Sequence, residues 1–158
     1  MARRRQKTVP SVLIVNDALF AAEHIKHLLQ EMGVRVRAVT SAEAAYEELR
    51  RQEFDLILMD VYLSDSEEFY DGLEATRHIR KSMNIGTRVV FWSSCGRGAY
   101  MLAQAEGLDN VGYNDRTLFF DPSPVLKFLR EEIRKSTDPR DVKRKVNKRK
   151  RGTRPDVT

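Results

Sequence analysis

Short apolar runs alternate with stretches of helical periodicity along most of this chain. Ser11-Val12-Leu13-Ile14-Val15 reads as a first strand that stops at Asn16-Asp17. A helix is expected over roughly 18–32, with Phe20, Ala21, Ile25, Leu28, Leu29 and Met32 at helical spacing and Gly33 as its stop. Val34 to Val39 alternates arginine with apolar residues, the pattern of an edge strand whose charges discourage sheet-to-sheet pairing. Thr40 and Glu43 have capping-box spacing and open a helix to about Gln52, with Ala42, Ala45 and Leu49 inward. Leu56-Ile57-Leu58-Met59 is apolar at every position, as in a strand buried on both faces, and it ends in Asp60.

The alternation continues beyond that point. Residues 61–71 form a long, acidic loop, and a helix over about 72–83 places Leu73, Thr76, Ile79 and Met83 on one face. Arg88-Val89-Val90-Phe91-Trp92 is a fourth strand ending in Ser93-Ser94. Cys95 to Glu106 is a weaker helix loosened by Gly96 and Gly98, and Val111-Gly112-Tyr113 is a short fifth strand. Ser123-Pro124 is an N-cap and first-turn pair for a last helix carrying Val125, Leu126, Phe128, Leu129 and Ile133. The order βαβαβαβαβα with short, right-handed connections predicts an α/β fold, a doubly wound five-stranded parallel sheet with helices on both faces.

Charge divides the chain more sharply than its overall balance of +5 suggests. Residues 1–7 carry four basic groups and no acid, and residues 134–158 carry eleven basic against three acidic groups. Residues 8–133 hold 13 basic and 20 acidic groups, so an acidic body lies between basic ends. The domain reading is a basic arm over 1–10, a globular domain over 11–134 and a basic tail or linker over 135–158. No apolar run is long enough to span a membrane, the basic start has no apolar segment behind it, and the lone Cys95 fits a reducing compartment. A cytoplasmic location with no membrane partner is therefore expected.

In open α/β sheets the chemistry gathers at the carboxyl ends of the strands. Here those ends carry Asn16-Asp17, Asp60 and Ser93. Two neighbouring carboxylates repel each other and suit a hard cation with oxygen ligands. Asp17 and Asp60, with the backbone carbonyl of Tyr62, are the expected direct ligands of Mg²⁺, and Ser93 can donate a hydrogen bond to a group held on Asp60. No glycine-rich phosphate loop follows the first strand, and neither a nucleophile elbow nor a Ser/His/Asp set is present, so a signalling module outranks an enzyme. His24 and His27 share a helix face but read as solvated side chains, and Trp92, Phe91 and Cys95 as packing.

Taken together, Val12-Leu13-Ile14-Val15-Asn16-Asp17, Asp55-Leu56-Ile57-Leu58-Met59-Asp60, Asp71-Gly72-Leu73-Glu74, Val89-Val90-Phe91-Trp92-Ser93-Ser94 and Gly107-Leu108-Asp109 stand in fixed order. That series resembles the receiver domain (CheY-like) of two-component response regulators over about 11–134, a (βα)5 flavodoxin-like fold. The resemblance implies that a sensor histidine kinase donates a phosphoryl group to Asp60. It implies a switch hydroxyl at Ser93, with Ser94 beside it, and output or homodimer formation through the face of the fourth helix, fifth strand and fifth helix. Enzymatic activity would be limited to phosphorylation and dephosphorylation of Asp60 itself.

The series also departs from that family's pattern. Asn16 stands where a first acid is usual, and so would hold a metal-bound water without adding charge. The family's lysine at the end of the fifth strand aligns with Asn114, and Arg116 is the nearest substitute. The loop after Asp60 is longer than usual and carries Asp65, Glu67 and Glu68. The family's switch aromatic aligns with Val111, with Tyr113 two residues on. Two readings stay open: a receiver phosphorylated on Asp60, and a phosphorylation-independent interaction module. In the second, the tail basic residues Lys143, Arg144, Lys145, Lys148, Arg149, Lys150 and Arg151 contact nucleic acid or link to a DNA-binding output domain, which connects the chain to transcription regulation; the plainer reading of the tail is a solvated segment that keeps the protein soluble or docks on its own acidic body. Leu118, Phe119 and Phe120 form an apolar cluster near the pairing face.

Overall fold

Strands and helices alternate as the periodicity demands: β1 (Ser11–Val15), α1 (Leu19–Glu31), β2 (Arg35–Val39), α2 (Ala42–Arg51), β3 (Leu56–Met59), α3 (Asp71–Lys81), β4 (Arg88–Trp92), α4 (Gly96–Ala105), β5 (Val111–Asn114) and α5 (Ser123–Thr137). The computed structural model describes residues 9–63, 71–93, 95–114 and 123–137. All five strands are parallel, in the order β2-β1-β3-β4-β5. The chain leaves β1 in one direction for β2 and then returns past it to β3. The strand order thus reverses between β1 and β3, and a crevice opens there beyond their carboxyl ends.

Successive strand side chains point to opposite faces, and both faces are covered. Leu13, Val15, Ile57, Met59, Val89, Phe91 and Val111 pack with residues of α2, α3 and α4. Val12, Ile14, Leu56, Leu58, Val90 and Trp92 pack with Ala22, Ile25 and Leu29 of α1 and Leu129 and Ile133 of α5. This two-sided burial is why β1, β3 and β4 read as continuous apolar runs. β2 is the edge strand, with its arginines exposed. Trp92 and Phe91 are packing residues, Trp92 lying 5.9 Å from the Phe128 ring.

Several local details differ from the sequence reading. The N-cap of α2 is Ser41, whose hydroxyl accepts from the Ala44 N–H at 3.2 Å. The cap thus falls one residue after Thr40, and Glu43 lies in the first turn, where its charge suits the helix dipole. Phe20 is 89% exposed. Ala22, Ile25 and Leu29 make the buried stripe of α1, and Phe20 stands two residues from Ala22, about 200° around the helix. Met83 lies beyond the end of α3 and is partly packed against the core. β5 extends through Asn114, and α5 runs on to Thr137. Gly33 ends α1 with φ of +78°, a left-handed conformation that costs glycine nothing.

At the amino edge of the sheet the buried charges are fully paired. The Arg88 guanidinium donates to Glu132 of α5 and, at 3.2 Å, to Asn110 Oδ1. Glu132 is 4% exposed and also receives Lys135 at 3.4 Å. Gly112 makes room for this pair, because a Cβ there would stand 2.8 Å from Arg88 Nη2. Arg80 donates to the carbonyls of Ile85, Asp109 and Asn110. Asp55, at the start of β3, accepts from the Ser11 N–H at 2.8 Å.

Candidate functional site

The carboxyl edge of the sheet is built by register. Val15 pairs with Met59, Met59 with Phe91, and Trp92 with Asn114. One residue further, Asn16, Asp60, Trp92 and Asn114 therefore stand level across four adjacent strands, with Ser93 one step beyond. The Asp60 N–H donates to the Val15 carbonyl at 2.9 Å, and the Asn16 N–H to the Val39 carbonyl at 3.1 Å. These bonds carry the sheet ladder one residue past the strands and fix where the two side chains start.

Asp60 and Asp17 meet. Burial pushes the Asp60 carboxyl up to about 6. The Asp17 carboxylate pushes the same way, by charge and by a side-chain hydrogen bond, while the backbone N–H groups of Tyr62 and Val61 pull it back. Two like-charged groups thus share the crevice at the switch point between β1 and β3. Their chemistry suits a hard divalent cation, which would relieve the repulsion that raises Asp60. Tyr62 follows Asp60 by two residues, half-buried, with its N–H turned to the Asp60 carboxyl. Among the described residues no group of three or more His, Cys, Asp or Glu side chains converges as a metal cage. A cation here would rest on two carboxylates and main-chain oxygen.

The residues around the pair have defined tasks. The buried Asn16 side chain turns back on its own loop, its Oδ1 accepting from the Ala18 N–H at 2.8 Å. This Asx turn fixes the β1–α1 connection that carries Asp17. Ser93 Oγ accepts from the Cys95 N–H at 3.2 Å, and the Ser93 carbonyl accepts from the Gly96 N–H, so the serine shapes the entry to α4. Cys95 is a free, half-buried thiol. Asn114 is buried at the end of β5. Ser94, Arg116, the 64–70 loop with its three acids, Leu118 to Phe120 and the basic tail from Lys143 to Arg151 lie outside the described residues. His24 and His27 are exposed, and His27 pairs with Glu31 at 3.2 Å.

Gly72 belongs to the Asp71-Gly72-Leu73-Glu74 series, but the sequence alone does not show its physical task. A Cβ on Gly72 would lie 2.0 Å from the Asp60 carbonyl oxygen, and the Gly72 N–H donates to the Val61 carbonyl at 2.9 Å. The first turn of α3 therefore presses against the backbone of Asp60 itself. Asp71, just before it, accepts from the Leu63 N–H at 3.3 Å and ties the near end of the loop to the helix. Further round, the α4–β5 surface carries an aromatic pair, Tyr100 and Tyr113, with ring centroids 4.9 Å apart. Val111 is buried, so Tyr113 is the strand-five aromatic that meets α4. Met101 and Leu102 are exposed beside it.

Comparison with known proteins agrees with this architecture. A sensor kinase/phosphatase of Vibrio vulnificus, LuxQ, is 37% identical over 78 residues, 49% of this chain but only 9% of LuxQ. The signal receiver domain of an HD domain-containing protein from Pseudomonas fluorescens Pf-5 superposes with a TM-score of 0.70 at 18% identity, covering 89% of this chain and 98% of that one. The response regulator TrrA of Thermotoga maritima, solved in complex with Mg²⁺-BeF, superposes with a TM-score of 0.61 at 18% identity, over 78% of this chain and 99% of that one. At such identities the two structures speak for the fold alone. No helix among the described residues is long and apolar enough to cross a membrane. Residues 12–111 match the family described as the response regulator receiver domain, and the chain, a module of two-component signalling rather than a conventional enzyme, belongs to that family.

Proposed function

We propose that this domain accepts a phosphoryl group on Asp60 from a sensor histidine kinase and transmits that state through the α4–β5–α5 face. The single observation behind this reading is the Asp17–Asp60 pair at the switch point of the sheet. A structural carboxylate is normally paired with a cation or tied up by donors, as Glu132 and Asp55 are here. Asp60 accepts from the N–H groups of Tyr62 and Val61 but is also set against a second carboxylate. Mg²⁺ would be held by Asp17, Asp60 and the Tyr62 carbonyl, with Asn16 behind them, and would offset charge on the phosphoryl group. Asp60 is the nucleophile and is competent when ionised. Ser93 would donate its hydroxyl hydrogen to a phosphoryl oxygen.

The output face is supported by the Tyr100–Tyr113 pair and by exposed Met101 and Leu102, apolar surface suited to a homodimer or a target. Kinase partnership is supported by the similarity to the sensor kinase/phosphatase LuxQ. The test is incubation with acetyl phosphate and Mg²⁺, followed by intact-mass measurement. One phosphoryl group is expected on the wild type and none on Asp60→Asn. An unmodified wild type would remove this reading.

A second reading is favoured by the residues in the place of the family's usual charges. Asn16 Oδ1 is committed to its own loop, and Asn114 ends β5 where a lysine is usual. Both reduce support for a phosphoryl group. In that reading the domain acts through contacts alone, and the basic tail meets nucleic acid or links to a DNA-binding domain. Fluorescence anisotropy with unrelated duplexes across salt, with and without residues 140–158, measures it. Binding lost with the tail and with salt is the expected sign.

A further inference from the structure

A groove of about 310 Å³ lies between α2 and α3, on the side of the sheet opposite α5, and Glu43, Tyr46, Leu63, Asp71, Glu74 and His78 help to line it. Its wall is aromatic: the Tyr46 and His78 rings touch, with centroids 4.4 Å apart and planes tilted by 44°. Its rims are acidic. Glu43 and Glu74 are exposed, and neither takes an ion pair among the described residues. Burial and then these two charges push the Tyr46 hydroxyl above its ordinary range. An aromatic face between carboxylates suits a guanidinium or ammonium head with an alkyl stem.

We propose that this groove takes the chain's own basic segment, residues 143–151, with an arginine or lysine side chain seated over Tyr46 between Glu43 and Glu74. That segment has seven basic residues and no acid, so its charge complements the rims. Its reach is sufficient. Glu132 of α5 pairs with Arg88 at the start of β4, so α5 descends to the amino edge and ends there at Thr137. Crossing to the opposite helical layer takes about 20 Å, two layer spacings of about 10 Å. Climbing the 11 residues of α3 adds about 16 Å. Residues 138–151 span about 46 Å when extended. A segment held there lies against Leu63 and Asp71, which anchor the loop that begins at Asp60. This docking does not depend on phosphorylation of Asp60.

The test uses the full chain and a carbodiimide, which joins carboxylates to lysines in direct contact, with links located by mass spectrometry in a mixture of isotopically light and heavy chains. Links are expected from Glu43 or Glu74 to Lys148 or Lys150, the lysines far enough along the chain to reach the groove, within a single chain. Their yield should fall about fivefold on raising salt from low to several hundred millimolar. Arg144→Gln, Arg149→Gln and Arg151→Gln together, which leave every carboxylate and lysine in place, should lower their yield as added salt does, without changing the circular dichroism. Equal linkage to Glu31, Glu53 and Glu131 would overturn the proposal, as would the absence of links. Links only between light and heavy chains would assign the groove to a second copy and overturn docking within one chain.

Discussion

The two edges of the sheet treat buried charge in opposite ways. At the amino edge Glu132 is buried with two cations, Arg80 serves three carbonyls, and Asp55 accepts a main-chain N–H. At the carboxyl edge the half-buried Asp60 faces another acid, and burial and that charge raise its proton affinity despite two main-chain N–H donors. Charges that hold a fold together are satisfied within it. Charges reserved for chemistry are left for something else to satisfy, and the fold bears the cost. Both edges belong to the same strands: β3 begins next to Asp55 and ends at Asp60.

The comparison is tested most severely where backbone meets backbone. Gly72→Ala forces a Cβ onto the Asp60 carbonyl, which cannot move aside as a side-chain tip would. A loss of about 3 kcal/mol or more is expected in urea unfolding, together with loss of any phosphoryl transfer to Asp60. Next comes the paired edge. Arg88→Ala leaves Glu132 buried with only Lys135, and a loss of about 3 kcal/mol is expected in the same measurement, with Asp60 chemistry retained.

The unpaired edge should respond with the opposite sign. The folded-state value for Asp60, about 6, exceeds its ordinary 3.8, so the folded protein holds the proton more tightly than the unfolded chain. Stability from this group is then full below about pH 4 and is lost as pH rises through 6. Asp60→Asn removes that loss. It should stabilise the domain by about 2 kcal/mol near pH 8, after allowance for partial solvent access, and by almost nothing near pH 4. Denaturant midpoints across pH measure this, and an equal effect at both pH values would contradict the two-edge comparison. The smallest expected effect lies away from both edges. Tyr113→Ala removes one ring of the Tyr100 pair on a partly exposed surface and should cost about 1 kcal/mol, while weakening any self-association through α4 and β5 in sedimentation.

Much of this molecule was legible in the chain. Four apolar residues ending in Asp60 announce a strand covered on both faces with a carboxylate at its tip. Asn16-Asp17 and Ser93 announce themselves in the same way, as polar residues that stop apolar runs. Periodicity places every helix within about two residues, yet capping-box spacing points to Thr40 where Ser41 is the cap. The spacing is a local match, and it is the Ser41 hydroxyl that accepts the Ala44 N–H. Phe20 was assigned by helical spacing, but an apolar residue is buried only if the helix turns that side to the sheet, and α1 turns Ala22, Ile25 and Leu29 inward.

By itself the sequence determined the alternation of elements, the parallel sheet and the set of polar residues at its carboxyl edge, because hydrophobic period and strand-terminal position are local properties of the chain. Only the tertiary structure decided which groups would be partners. Asp17 and Asp60 are brought face to face by the register of β1 on β3, Arg88 finds Glu132 because Gly112 leaves space, and Asn16 spends its side chain on its own loop. Such pairings join residues far apart in sequence, or choose among several acceptors within reach. They are fixed when strands pair and helices pack, which no local pattern encodes.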